Sequence, residues 1–84
     1  MRTLADVKRR CVVGVTFRCE HFRAPASSGL RTIRKVQQNA IAYERPGSEL
    51  WGWTYWPKAS NVRVEGETVT FLTEDGQPAF RYFF

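Results

Sequence analysis

Hydrophobic positions along the chain recur with two different periods. Leu4, Val7 and Cys11 fall at i, i+3 and i+7, the spacing of one helical face. Thr3 precedes them as a capping residue, and Asp6 stands where it can return the bond. Asp6 suits the positive end of the helix dipole and Lys8-Arg9-Arg10 the negative end. The pattern predicts a short helix over residues 4–10. From Val13 the period becomes two: Val13, Val15, Phe17 and Cys19 face one way, Thr16, Arg18 and Glu20 the other, as in a half-buried strand. Residues 23–29 read as a loop.

Residues 30–44 fit two templates. Leu30, Ile33, Val36 and Ala40 suit a helix, with Ser28 as its cap. The segment ends in Arg45-Pro46-Gly47-Ser48, however, and a clear strand, Glu49 to Trp56, follows. Pairing across that turn sets residues whose numbers sum to 93 opposite each other: Ala42 beside Trp51, Ala40 beside Trp53, Gln38 beside Tyr55, Ile41 beside Gly52 and Tyr43 beside Leu50. Small residues beside large ones on both faces fill space as cross-strand pairs do, so a strand over 31–44 is favoured. Gln37, Gln38 and Asn39 then lie inside a strand, with at least one amide turned toward the core. Pro46-Gly47 suggests a type II turn, which is not the preferred hairpin geometry and favours a wider loop.

The C-terminal third carries a hairpin, Val62 and Val64 turning at Glu65-Gly66 into Val69 and Phe71. A second turn at Glu74-Asp75-Gly76 leads to Phe80, Tyr82 and Phe84, and Pro78 suits the start of an edge strand. The fold class predicted is mostly β within α+β: one short N-terminal helix and a bent antiparallel sheet, or small partly closed barrel, of about five strands, SH3-like or OB-like in size. At 84 residues the chain is read as a single domain, 1–84, whose large apolar residues are all needed for the core.

Charge divides the chain. Residues 1–45 hold ten Lys or Arg against three acids, a net of +7; residues 46–84 hold three against five, a net of −2. Ten of the twelve aromatics lie from Tyr43 onward. Where a basic and an aromatic segment meet, phosphate charge and base rings can both be satisfied. The candidate nucleic-acid-binding residues are therefore Arg18, Arg31, Arg34 and Lys35 for phosphates, with Trp51, Trp53 and Tyr55 for stacking. The competing reading of Trp51, Trp53 and Tyr55 is core packing, the usual place of tryptophan, and for the basic residues a solvated face.

Other chemistry is sparse. His21 is the only histidine, and no nucleophile motif surrounds it. Cys11, Cys19 and His21 lack the paired spacing of a zinc site, and no glycine-rich phosphate loop is present. No catalytic residue, metal or cofactor is expected. Cys11 and Cys19 are read as reduced, partly buried thiols. The apolar run Cys11 to Val15 is too short for an export signal, and no stretch approaches a membrane span, so a cytoplasmic location without membrane association is expected.

Lys35-Val36-Gln37-Gln38-Asn39-Ala40, and Trp56-Pro57-Lys58-Ala59-Ser60 followed by the Val62-x-Val64-x-Gly66 hairpin, resemble segments of small uncharacterised proteins of actinobacterial phages and mobile elements. The resemblance implies a phage-type accessory protein in a bacterial cytoplasm and brings no site residues. The function expected first is a non-enzymatic nucleic-acid-binding module. The alternatives are a module that binds an acidic host protein as an inhibitor or modulator, and a self-associating domain in which Trp51, Trp53 and Tyr55 bury against a second copy as a homodimer.

Overall fold

The computed structural model describes residues 1–84. Helix α1 (Leu4–Arg10) begins at the expected capping box: Thr3 Oγ1 accepts from the Asp6 amide at 3.2 Å, and the Asp6 carboxylate accepts from the amides of Thr3 at 3.1 Å and Arg2 at 2.8 Å. Seven strands follow: β1 (Thr16–His21), β2 (Gly29–Val36), β3 (Ala40–Glu44), β4 (Gly52–Tyr55), β5 (Val62–Glu65), β6 (Thr68–Leu72) and β7 (Pro78–Phe83). They form one antiparallel sheet in the order β4-β3-β2-β1-β7-β6-β5. The protein is mostly β, as the periodicity predicts, with seven strands rather than about five.

The chain crosses from one edge of the sheet to the other between Tyr55 and Val62. Seven strands laid flat span about 29 Å from edge to edge. Seven residue steps reach at most about 25 Å. The sheet must therefore curl, and it does so into a half-barrel. The Thr54 hydroxyl on edge strand β4 bonds the Tyr82 hydroxyl on β7, and Trp56 stacks on Phe71 of β6 with ring centroids 6.1 Å apart.

Along the strands, one row of side chains points into the curl: Phe17 and Cys19, Ile33, Ile41, Val69 and Phe71, and Tyr82, all buried. Val7 of α1 and Cys11 just past its end join this cluster, so the short helix sits against the concave side over one end of the strands. Arg10 at the helix terminus pairs with Glu67 in the β5–β6 turn at 2.6 Å. Both cysteines are free and buried. No helix is long and apolar enough to cross a membrane.

Several sequence expectations are corrected. Residues 31–44 are not one strand but two, β2 and β3, folded back through Gln37-Gln38-Asn39, where the Gln37 amide donates to the Ala40 carbonyl at 2.8 Å. These amides sit in an exposed turn and none faces the core. β3 and β4 do pair, but their numbers sum to 95: Ala40 opposes Tyr55 and Ala42 opposes Trp53. A slip of two residues keeps every side chain on its expected face, so alternation alone could not fix it. β1 starts at Thr16, leaving Val13 exposed in the preceding turn. Pro78 opens β7 as expected, but β7 is an interior strand between β1 and β6. The connection after Arg45 has a type II element, with Gly47 at φ +78° and the Ser48 amide bonded to the Arg45 carbonyl at 3.1 Å, set in a loop that runs on to Trp51.

Candidate functional site

The pairing of β3 with β4 sorts the tryptophan strand. Thr54 and Gly52 share the inner face with Ile41 and Tyr43; Trp53 and Tyr55 share the outer face with Ala42 and Ala40. The alanines are buried, whereas Trp51, Trp53 and Tyr55 are 46%, 39% and 72% exposed. The core-packing reading of these three residues is thus overturned; Trp56, packed against the core, is the tryptophan used for stability. The Trp53 and Tyr55 rings lie nearly parallel, 19° apart with centroids at 6.2 Å, so that two exposed rings stand in a row as an apolar rail on the edge strand. Full burial of one such ring is worth roughly 1.5–3 kcal/mol. Trp51 and Trp53 leave part of that gain unrealised and Tyr55 most of it, in a domain with about 5–15 kcal/mol in total.

The two sheet edges differ in kind. β5 carries Arg63 and Glu65, the sort of charge that keeps an open edge from pairing. β4, Gly52-Trp53-Thr54-Tyr55, carries none. Leu50, in the loop that leads into β4, is exposed as well. The β4 edge is thus aromatic and without charged residues to guard it.

The basic residues named from the sequence divide among three places. Lys35 is the one in register with the rail: it opposes Ala42, which opposes Trp53, so cation, small residue and indole occupy one outer row. Arg34 lies at the irregularity between Ile33 and Lys35, and pairs with Glu44 at 2.9 Å on the surface. Arg18 is on the outer face of β1, three strands from β4, with its guanidinium 4.5 Å from the Phe83 ring centre. The expectation of a basic strand directly beside the aromatic strand is corrected here, because β3 runs between β2 and β4.

Arg31 also departs from its expected surface role. It opposes Phe17 and so points inward, only 7% exposed. Its guanidinium donates to the carbonyls of Ser27 and, at 3.2 Å, Leu30, and lies 5.6 Å from the Tyr43 ring centre. Its Nε has no acceptor, and no carboxylate comes within salt-bridge distance of it. Removing the partner of a buried ion pair typically costs about 3–5 kcal/mol. Arg31 has two carbonyls and an aromatic ring as partners but no countercharge.

Sequence reasoning missed Arg45, the second inward arginine. It follows Glu44, the last paired residue of β3, as Arg31 precedes Thr32, the partner of Glu44. Its Nε is likewise buried without an acceptor. The turn composition of Arg45-Pro46-Gly47-Ser48 masks it, yet the alternation Ile41, Tyr43, Arg45 already puts it on the inward row.

The two arginines border a pair of adjoining clefts, of about 310 Å³ and 450 Å³, at the end of the half-barrel away from α1. Ser27, Arg31 and Arg45 line both, and no aspartate or glutamate lines either. The larger is walled by Tyr43, Phe80 and Tyr82 and reaches Trp53 and Tyr55 at its rim. His21 also lines it, stacked on Phe80 at 5.6 Å, with its Nδ1 accepting from the Ala24 amide at 3.1 Å; that bond leaves Nε2 as the protonated nitrogen.

Burial disfavours the thiolate at both cysteines. Burial pushes Cys11 up to about 12, with Arg10 pulling weakly the other way, and burial also raises Cys19 against the downward pull of Arg31. Tyr82 is raised above the ordinary phenol range by burial and stays protonated. No group of three His, Cys, Asp or Glu side chains gathers where it could hold a metal ion. Compared with family models, curated proteins and solved structures, the chain matches none of them.

Proposed function

We propose that the protein is a small, non-enzymatic nucleic-acid-binding module that holds a single strand along the Trp51-Trp53-Tyr55 edge. The observation that carries this reading is the stacked, exposed Trp53–Tyr55 pair with Lys35 in register across a buried alanine. Unpaired bases stack on such rings whatever their sequence, and a cation beside the rings meets the phosphates. A net charge of +5 favours encounter with a polyanion. Of the basic residues, Lys35 contributes most on this surface. Arg34 is already offset by Glu44, and Arg18 lies too far around the sheet to touch the same nucleotides.

Fluorescence anisotropy with a labelled single-stranded oligonucleotide tests it. Trp53→Ala is expected to weaken binding by about 1–3 kcal/mol, the worth of one stacked base. Lys35→Ala is expected to flatten the slope of log affinity against log salt by about 0.7, the share of one neutralised phosphate on a single strand. Absence of binding at low salt by the folded protein overturns the reading.

A second reading has its own support. Leu50, 75% exposed, adds an aliphatic side chain that bases have no use for. Aromatic and aliphatic groups together suit a protein partner, with the basic charge steering an acidic one. Recovery of a stoichiometric protein from nuclease-treated bacterial lysate, blocked by Leu50→Asp and not by oligonucleotide, is the result that favours it over the strand reading.

A further inference from the structure

The geometry points to a second site on the protein: the Arg31–Arg45 cleft is a receptor for a phosphate monoester, the terminal phosphate of a nucleotide or of a nucleic-acid strand. Arg31 and Arg45 sit at facing positions just past the Thr32–Glu44 pair, on the inner side of the sheet, and border the same two clefts. Like charges directly across a sheet repel. Here neither has a carboxylate partner, and each keeps a buried Nε without an acceptor. Arg31 is more than nine-tenths buried, so water does little to screen it. An anion in the clefts that both arginines line supplies the countercharge that both lack, and the planar fork of arginine is matched to phosphate oxygens.

The surroundings select among anions. Ser27 borders the smaller cleft and brings a hydroxyl group, while an acid-free wall offers no competing charge. The larger cleft adjoins it at Arg31 and Arg45 and leads past Tyr43 to the Trp53 and Tyr55 rim. Both volumes fall in the ordinary range of small-ligand sites, near 300–1,000 Å³. A phosphate held at the arginines therefore has an aromatic-walled cleft beside it for the sugar and base it carries, and inorganic phosphate fills only the first part. The internal phosphodiester of a strand carries one charge where a monoester approaches two, so the paired arginines favour a chain end or a free nucleotide.

This inference rests on the strand-binding reading only for the polymer source of the phosphate. The test uses the whole protein and four probes in isothermal titration and anisotropy: adenosine 5′-monophosphate, adenosine, and one short single strand with either a 5′-phosphate or a 5′-hydroxyl. The expected result is affinity at least about tenfold higher for each phosphorylated probe than for its unphosphorylated counterpart, the size of one charge-assisted bond. Arg45→Gln is expected to erase that ratio, while Arg45→Lys retains part of it as charge without the fork. Arg45 is half-buried at the end of β3, so its circular dichroism spectrum and melting transition check that the variant folds. If the ratio is near one for both pairs, or survives Arg45→Gln in a folded protein, the inference is overturned. Equal binding of the two strands with no preference for the nucleotide leaves the aromatic rail standing and this site refuted. Nucleotide binding without strand binding supports this site and refutes the rail. A preference for adenosine 5′-monophosphate alone assigns the cleft to free nucleotides, and one shown by both pairs includes strand ends.

Discussion

Thr54 and Tyr82 join hydroxyl to hydroxyl across the interior of the curled sheet, tying edge strand β4 to interior strand β7. Both residues are buried, and Tyr82 is packed between Phe17 and Phe71 with ring centroids at 4.5 and 4.9 Å. The bond closes the half-barrel from within, and it holds the inner face of the strand whose outer face carries the aromatic rail. Thr54→Val removes the hydroxyl partner of buried Tyr82 on β4 and is expected to cost about 1–3 kcal/mol in urea unfolding. Adding Tyr82→Phe removes the other hydroxyl, so the double variant is expected to be less destabilised than the two single effects combined. Strict additivity would show that the two hydroxyls do not depend on each other.

Gly52 lies under the Tyr43 ring. A Cβ there would stand 2.5 Å from Tyr43 Cε1 and 2.8 Å from Cζ, so the ring must move. Gly52→Ala is expected to destabilise by about 1–3 kcal/mol, the usual cost of overpacking. Because that ring also packs against the Arg31 guanidinium, the same variant is expected to weaken nucleotide binding at the cleft. Thermal melting and the adenosine 5′-monophosphate titration read the two effects separately.

Asp6 couples the start of α1 to pH. The amides of Arg2 and then Thr3, with the charge of Arg9, hold its carboxyl below the ordinary aspartate value. A depressed folded-state pKa means stability that is present above the unfolded value, about 3.9, and lost as pH falls through the folded one. Asp6→Asn is expected to be less stable than the natural protein at pH 7, with the gap closing in acid. A gap of constant size down to about pH 2 would contradict the assignment.

Cys11 is expected to resist alkylation while the protein stays folded. Its thiol is raised to about 12 from 9.0, so its stabilising contribution is intact below about 9 and is lost as pH climbs toward 12. Peptide mapping after timed alkylation distinguishes Cys11 from Cys19. The native rate at Cys11 is expected to keep rising above about pH 10, whereas in urea it levels off near 9. Levelling near 9 in the folded protein would contradict the burial argument.

What the sequence made legible was local. The helix could be read because Thr3 and Asp6 cap it within one turn, and the β5–β6 hairpin because Glu65-Gly66 breaks a clean alternation. The β2–β3 turn was hidden for two reasons. Gln37-Gln38-Asn39 contains neither glycine nor proline, and the register irregularity at Arg34 puts Ile33 and Val36 on one face three residues apart, which imitates a helical spacing. The site was partly legible. Alternation grouped Trp51, Trp53 and Tyr55 but could not say which face was outside, since tryptophan's average burial points the wrong way here. The inward turn of Arg31 is set by its pairing with Phe17, fourteen positions away, and only the assembled sheet reveals it.

The central claim is that the exposed rail on β4 stacks unpaired bases. Intrinsic tryptophan emission measures it most directly, because Trp51 and Trp53 are exposed while Trp56 is packed on Phe71. Titration with single-stranded homopolymer at low salt is expected to quench the emission and to be reversed by salt. Trp53→Leu is expected to remove most of the change, and Trp56 to be untouched. Emission that acrylamide quenches but the homopolymer leaves unchanged would contradict the account, for the rings would then be open to solvent and yet not used by nucleic acid.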